Sequence, residues 1–238
     1  MTKSITVFAA FALVLSLYAS SAHAHGVWIA KRCDKHCIVY GEGAKDNAYP
    51  PAKVKEVRAF TADRSSATVE TISRDDHVEL NIADDAAVVA IFFDNGYWSK
   101  DENGKSVNKP MTEVPGSSSG NLTLKYNTTY LDSKVEPRAI DNLEMQIVPS
   151  VNPAGLSKGD MLEVTVLRNG QPVAEAPVII DVVNDPENTV VTDANGKVSF
   201  PIRNDGLNVI GVEIDFPLEK DEKATGVAYF ASLSFLSK

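Results

Sequence analysis

The stretch HGVWIAKRCDKHCIVYGEG, residues 25–43, contains two short apolar runs separated by a polar segment. The runs at 27–33 and 37–43 are rich in Val, Ile, Trp and Tyr, residue types that favour β-strands. Asp34, Lys35 and His36 between them have the polarity of a turn. The stretch therefore predicts a β-hairpin, and the glycines on either side of Glu42 predict a sharp turn at its far end.

The chain continues as short strands and turns up to about residue 137. Polar and apolar residues alternate in most of these segments, which is typical of half-buried strands, whereas 86–93 is apolar on both faces and predicts a central strand. The predicted strands are 53–61, 67–73, 77–83, 86–93 and 121–131. A connection rich in Asn, Gly, Pro and Ser occupies 94–120, and long connections of this kind are usually functional or disordered.

The second half shows a cleaner pattern. About seven short strands follow residue 140, with hairpin turn signals at 168–171 and 193–196, and this spacing is typical of an immunoglobulin-like sandwich. No amphipathic helix is predicted after the first 24 residues. We therefore expect an all-β protein of two antiparallel β-sandwich domains, residues 25–137 and residues 138–238, the second immunoglobulin-like.

Residues 1–24 have the features of a secretory signal peptide. Lys3 precedes an apolar run over 5–18, and Ala22-His23-Ala24 is a small-residue cleavage site. Cleavage after Ala24 would make His25 the first residue of a mature, periplasmic protein. No later apolar run approaches the roughly 20 residues that cross a bilayer, so no membrane insertion is expected after processing.

The net charge of the chain limits its partners. At pH 7 the formal charge is −9, and no cluster of Lys and Arg stands out. Nucleic-acid binding is not expected, because attraction to phosphates needs a basic face. An acidic exported protein is compatible with a cation as ligand, although acidity also simply maintains solubility.

The two cysteines lie close together in the first hairpin. In an exported protein, Cys33 and Cys37 predict a disulfide that closes the hairpin, and a metal site is the alternative. His36 between them is then an exposed loop residue. None of the common catalytic motifs for nucleophilic, phosphate or zinc-protease chemistry is present, so an enzyme is not expected.

A metal site is the sharpest chemical prediction. Once exposed by cleavage, the α-amine and imidazole of His25 can chelate one ion, His77 offers a third nitrogen, and Glu42 or Asp46 an oxygen. Such a set suits Ni(II), Co(II), Cu(II) or Zn(II). The alternatives are an ordinary surface or partly buried histidine at position 77 and a frayed terminus at position 25.

Several motifs resemble the exported nickel-uptake transporter family. They are His25-Gly26-x-Trp28, Arg32, Val39-Tyr40-Gly41-x-Gly43-Ala44, Asp46, Tyr49, Asp94-Asn95-Gly96-x-Trp98, Asn108-Lys109-Pro110 and Glu113-Val114-Pro115-Gly116. The resemblance implies a periplasmic protein that begins with histidine and handles Ni(II), or Co(II), for an energy-coupling-factor-type membrane importer. The second half is similar to prealbumin-like and carboxypeptidase-regulatory immunoglobulin-like modules, through Gly170-Gln171-Pro172-Val173 and Thr192-Asp193-Ala194-Asn195-Gly196.

Two other functions remain open from the sequence. A copper protein with a histidine brace, either an oxidative enzyme such as a lytic polysaccharide monooxygenase or a copper carrier, also begins with histidine; His77 and a tyrosine would complete its site. The second of these functions is that of a structural β-sandwich module, in which the histidines have no functional role.

Overall fold

The computed structural model describes residues 25–238, and the predicted signal peptide and its cleavage site lie outside the described residues. Within this part of the chain the protein is built of strands, numbered β1 to β18 in chain order, with three single-turn 3-10 helices. The all-β prediction is confirmed. No helix in residues 25–238 is long and apolar enough to cross a membrane.

The first sheet contains the opening hairpin and has the strand order β1-β2-β7-β6, with β3 paired to the end of β2. Its strands are β1 (Gly26–Arg32), β2 (Lys35–Glu42), β3 (Lys45–Asp46), β6 (Val69–Ser73) and β7 (Val78–Ile82). All of its pairings are antiparallel.

The second sheet has nine strands and combines residues from both halves of the chain. Its order is β15-β14-β17-β18-β10-β8-β4-β5, with β9 paired to β8. The strands are β4 (Val54–Thr61), β5 (Ser66–Ala67), β8 (Ala86–Lys100), β9 (Ser106–Val107), β10 (Gly120–Tyr130), β14 (Pro177–Ile179), β15 (Thr189–Val191), β17 (Leu207–Pro217) and β18 (Gly226–Leu236). At its centre β10 and β18 run parallel, from Asn121↔Gly226 to Tyr130↔Phe235.

A third, four-stranded sheet belongs to the second half. It has the order β11-β12-β13, with β16 also paired to β12. Its strands are β11 (Met145–Pro149), β12 (Met161–Arg168), β13 (Gln171–Pro172) and β16 (Lys197–Pro201).

Two sandwiches therefore share the nine-stranded sheet. One apolar core lies between the first sheet and β4 and β8, and includes Val27, Ile38 and Phe93. A larger core lies between the third sheet and β14, β17, β18 and β10. The predicted boundary at 137/138 falls in the connection between β10 and β11, but the central sheet runs across both halves through the parallel pair.

The first hairpin turns earlier than predicted, and its two cysteines are not bridged in this structure. Arg32 pairs with Lys35, and Cys33 and Asp34 form the two-residue turn with φ of 47° and 62°, the positive values that tight hairpin turns need. Cys37 pairs with Ala30, two residues further along β2. Both thiols are free, Cys33 exposed and Cys37 buried.

The connection predicted at 94–120 is more ordered than expected. Strand β8 continues through the Asp94–Trp98 motif as far as Lys100, and β9 pairs with its end. The motif is therefore part of the central sheet, directly opposite β10.

Candidate functional site

His25 is held by a column of stacked aromatic rings. Its imidazole lies 5.0 Å from the Tyr40 ring centroid at an interplanar angle of 23°, and Tyr40 stacks on Phe93 at 5.3 Å and 13°. Tyr49 meets the edges of both rings at 6.0 and 5.2 Å. Side chains alternate between the faces of a strand, so His25 shares a face with Val27, which is paired with Tyr40. The first described residue is thus held against Tyr40, on the face of the first sheet that packs on Phe93 of β8.

A buried lysine lies beside one ring of this column, that of Tyr40. Lys125, on β10, is 1% exposed, and its Nζ lies 5.8 Å from the Tyr40 ring centroid and 5.4 Å from that of Phe230. Burial lowers the pKa of Lys125 to about 8, while the charge of Glu213 acts in the opposite direction and that of Lys53 lowers it further.

Asn95 reaches the site because β8 has an irregularity at this point. Asp94 pairs with Leu124 and Gly96 with Thr123, so Asn95 has no partner in the register. Gly96 has a φ of +79°, a value that glycine adopts without strain. Bulges of this kind redirect side chains, and they are frequent next to functional sites.

The redirected Asn95 fixes a second lysine. Its Oδ1 accepts a hydrogen bond from Lys53 Nζ at 2.6 Å, and its carbonyl accepts from Lys53 at 3.2 Å and from Trp98 Nε1 at 3.2 Å. Burial raises the pKa of Tyr40, and an interaction with the Asn95 side chain opposes that rise. Asn108 donates to the Tyr97 carbonyl at 2.7 Å. The motifs around 40, 95, 98 and 108 therefore converge on one place, beside His25.

The electrostatics of this site favour a neutral imidazole. Burial lowers the pKa of His25, and the charge of Lys125 lowers it further, against the opposing effect of Glu42. A neutral imidazole is the form that binds metals. Of the two predicted oxygen ligands, Glu42 is the one whose charge acts on the pKa of His25. If the chain begins at His25, the donors there are an amine, an imidazole and one carboxylate.

The other two predicted ligands occupy a separate cleft of about 200 Å³. Asp46 accepts a hydrogen bond from Arg32 Nη2 at 2.8 Å, and His77 Nδ1 lies 2.7 Å from Asp76 Oδ1. Buried Cys37 lines the same cleft.

The four predicted ligands are therefore not assembled into one site. Within residues 25–238 no three or more His, Cys, Asp or Glu side chains are arranged to hold a metal ion. The register explains the division, because Glu42 pairs with Lys45 whereas Asp46 pairs with Gly41, so the two carboxylates lie on opposite faces. A two-histidine brace is not assembled either, because His77 lies in the cleft with Asp46 while Tyr40 is the residue against His25.

Four residues of the site had no role in the sequence-based prediction. Tyr40 and Asn95 belong to the motifs noted there, but nothing in their spacing indicated that they lie next to each other beside His25. Lys53 and Lys125 were not singled out. The available signal was Lys125 itself, a lysine in a strand whose neighbours are otherwise apolar or uncharged.

The chain belongs to a family defined by a domain of unknown function, DUF4198, whose model matches residues 22–215. It is also similar to an uncharacterized protein from Haemophilus influenzae, with 29% identity over 166 residues, which are 69% of this chain and 70% of the relative. No solved structure matches. The family match covers His25, Tyr40, Asn95 and Lys125 and ends before β18.

Proposed function

We propose that this protein is an exported binding protein for a divalent transition metal, nickel first and cobalt or copper as alternatives, and that it assists metal uptake by a membrane importer. The observation that carries the proposal is the placement of His25. A first residue that stacks on Tyr40 beside Glu42 is positioned to bind a ligand, whereas most chain termini fray.

The proposed ligands are the α-amine and imidazole of His25 with the carboxylate of Glu42. Two nitrogens and an oxygen suit Ni(II) and Cu(II), which favour square-planar or tetragonal sites with N and O ligands. The ligand set is restricted to these groups because Asp46 is bound to Arg32 and His77 is paired with Asp76. The amine requires cleavage after Ala24, which is part of the proposal.

The importer role and the periplasmic location rest on the sequence alone. The signal-like first 24 residues support export, and the resemblance to nickel-uptake proteins supports a partner among the membrane components of a nickel or cobalt importer. In this role the protein binds and transfers an ion without chemical change, in keeping with the prediction that it is not an enzyme.

Calorimetric titration with Ni(II) tests the proposal. Protein that begins at His25 is compared with protein that carries one additional alanine before His25, which converts the amine into an amide. We expect the extended protein to bind at least tenfold more weakly, because a chelate ring is lost. His36→Ala is the matched control, since His36 lies on β2 near the hairpin turn, opposite Lys31. Equal affinity of the two forms would contradict the proposal.

A further inference from the structure

A cleft of about 310 Å³ lies between β4 and the connection from β10 to β11. Three of the seven arginines of the chain line it, and none of them belongs to the site around His25. They are Arg58 on β4, Arg64 in the turn between β4 and β5, and Arg138 in the connection. This cluster of positive charge contrasts with the net charge of −9 of the whole chain.

The fold brings these arginines together from distant parts of the sequence. Arg58 Nη2 donates a hydrogen bond to the Asp141 carbonyl at 2.8 Å. Arg64 Nη2 donates to the Glu136 carbonyl at 2.7 Å. Both guanidinium groups are therefore anchored by backbone carbonyls of the connection that contains Arg138.

The two anchored guanidinium groups lack acceptors for part of their donors. Each guanidinium carries five N–H groups, and the Nε atoms of Arg58 and Arg64 are buried with no hydrogen-bond partner within residues 25–238. Glu56 Oε2 lies 3.5 Å from Arg58 Nε, but no hydrogen bond joins them. The side chain of Tyr130 interacts with Arg64, which opposes the rise that burial causes in the pKa of Tyr130. Because unmet buried donors are costly, these groups suit a ligand that supplies acceptors.

The charges that line the cleft fit an anion. The three arginines contribute three positive charges, against the one negative charge of Asp141. Glu56 compensates Arg58 in part, which still leaves an excess of positive charge. Phe60 and Ile140 give the cleft an apolar side, and its volume is at the lower end of the roughly 300–1,000 Å³ of ligand pockets.

We propose that this cleft binds a small oxyanion, a carboxylate or phosphate group, through Arg58, Arg64 and Arg138. Guanidinium forks match the oxygen geometry of these groups and bind them with charge-assisted hydrogen bonds, which are stronger than neutral ones. The bound anion joins β4 to the connection between the two halves of the chain. This inference goes beyond the proposed function and does not depend on the metal site at His25.

Calorimetric titration with inorganic phosphate and with succinate, as separate probes at an ionic strength held constant with chloride, tests the inference. We expect at least one probe to bind the wild type at a single saturable site. Arg138→Gln should bind that probe at least tenfold more weakly, and it should keep the fold because Arg138 is exposed. Arg74→Gln is the matched control, since it removes the same charge from an exposed arginine that pairs with Glu79 outside the cleft.

The two probes also identify the class of anion. Binding of phosphate without succinate assigns the cleft to phosphate groups, and the reverse assigns it to carboxylates. Arg64→Lys keeps the charge but loses the planar fork, so it should also weaken binding. The proposal is overturned if neither probe binds the wild type. It is equally overturned if Arg138→Gln retains the wild-type affinity, or if Arg74→Gln loses as much as Arg138→Gln.

Discussion

Glu42 and Asp46 lie on opposite faces of the small hairpin formed by β2 and β3. Glu42 pairs with Lys45, and Asp46 with Gly41, so the two carboxylates are one residue out of phase in the register. Glu42 is on the face of Tyr40 and His25, whereas Asp46 is bound to Arg32 on the other. Only one of the two is placed to share a ligand with His25.

This division predicts different results for two matched substitutions. Glu42→Gln should weaken Ni(II) binding about tenfold, because a charged oxygen ligand becomes a neutral amide, and tenfold corresponds to about 1.4 kcal/mol. Asp46→Asn and His77→Ala should leave the affinity unchanged. Calorimetry on the three variants is the measurement. A loss of binding in Asp46→Asn with none in Glu42→Gln would show that the cleft holds the metal.

Replacement of Tyr40 tests whether ring stacking positions His25. Tyr40→Leu removes the contacts with the imidazole and with Phe93, whereas Tyr40→Phe keeps both rings stacked and removes only the hydroxyl. An aromatic pair contributes about 0.5–1.5 kcal/mol, so Tyr40→Leu should weaken Ni(II) binding by up to roughly tenfold. Tyr40→Phe should bind like the wild type. Equal binding by the leucine variant, with an unchanged thermal unfolding curve, would show that ring stacking does not position His25.

The buried Lys125 predicts a pH-dependent stability. Its pKa falls from 10.5 to about 8 on folding, so the unfolded chain binds more protons between pH 8 and 10.5, and the free energy of unfolding should rise with pH across that window. Below pH 8 the full cost is present, on the order of 3 kcal/mol.

Lys125→Met should remove that cost. The variant should therefore be more stable than the wild type at pH 7, and its stability should show no such rise between pH 8 and 10.5. Urea unfolding at pH 7, 8, 9 and 10 measures both effects, with Lys100→Met as the exposed control. A less stable methionine variant, together with a flat wild-type profile, would mean that Lys125 is compensated within the folded chain.

The two free cysteines should differ in reactivity. Cys33 is exposed in the hairpin turn, whereas Cys37 is 5% exposed and burial raises the pKa of its thiol. A short pulse of iodoacetamide on the native protein should modify Cys33 first, and unfolded protein should be modified at both positions. Mass spectrometry of the peptides is the readout. A bridged peptide in the unreduced protein would contradict this and show that the predicted disulfide forms.

The local pattern of the sequence determined the strand content. Alternating and apolar runs located the opening hairpin, β4, β7 and β10 to within a few residues, because side-chain alternation is a property of the strand itself. The same pattern indicated two sandwiches. The predicted cleavage site singled out His25, the glycines around Glu42 marked that carboxylate, and the family resemblance marked the Asp94–Trp98 motif.

Only the tertiary structure decided which of those residues meet. A one-residue change of register moves every side chain to the other face, and the early turn at Cys33-Asp34 and the irregularity at Asn95 are changes of this size. Lys125 lies beside Phe230 because β10 and β18 pair in parallel, although the paired residues are more than a hundred positions apart in the sequence. Such pairing depends on how distant segments pack, and periodicity within one strand carries no information about it. The sequence by itself thus determined the strands and singled out His25, and packing alone placed a buried lysine, an asparagine and a tyrosine around it.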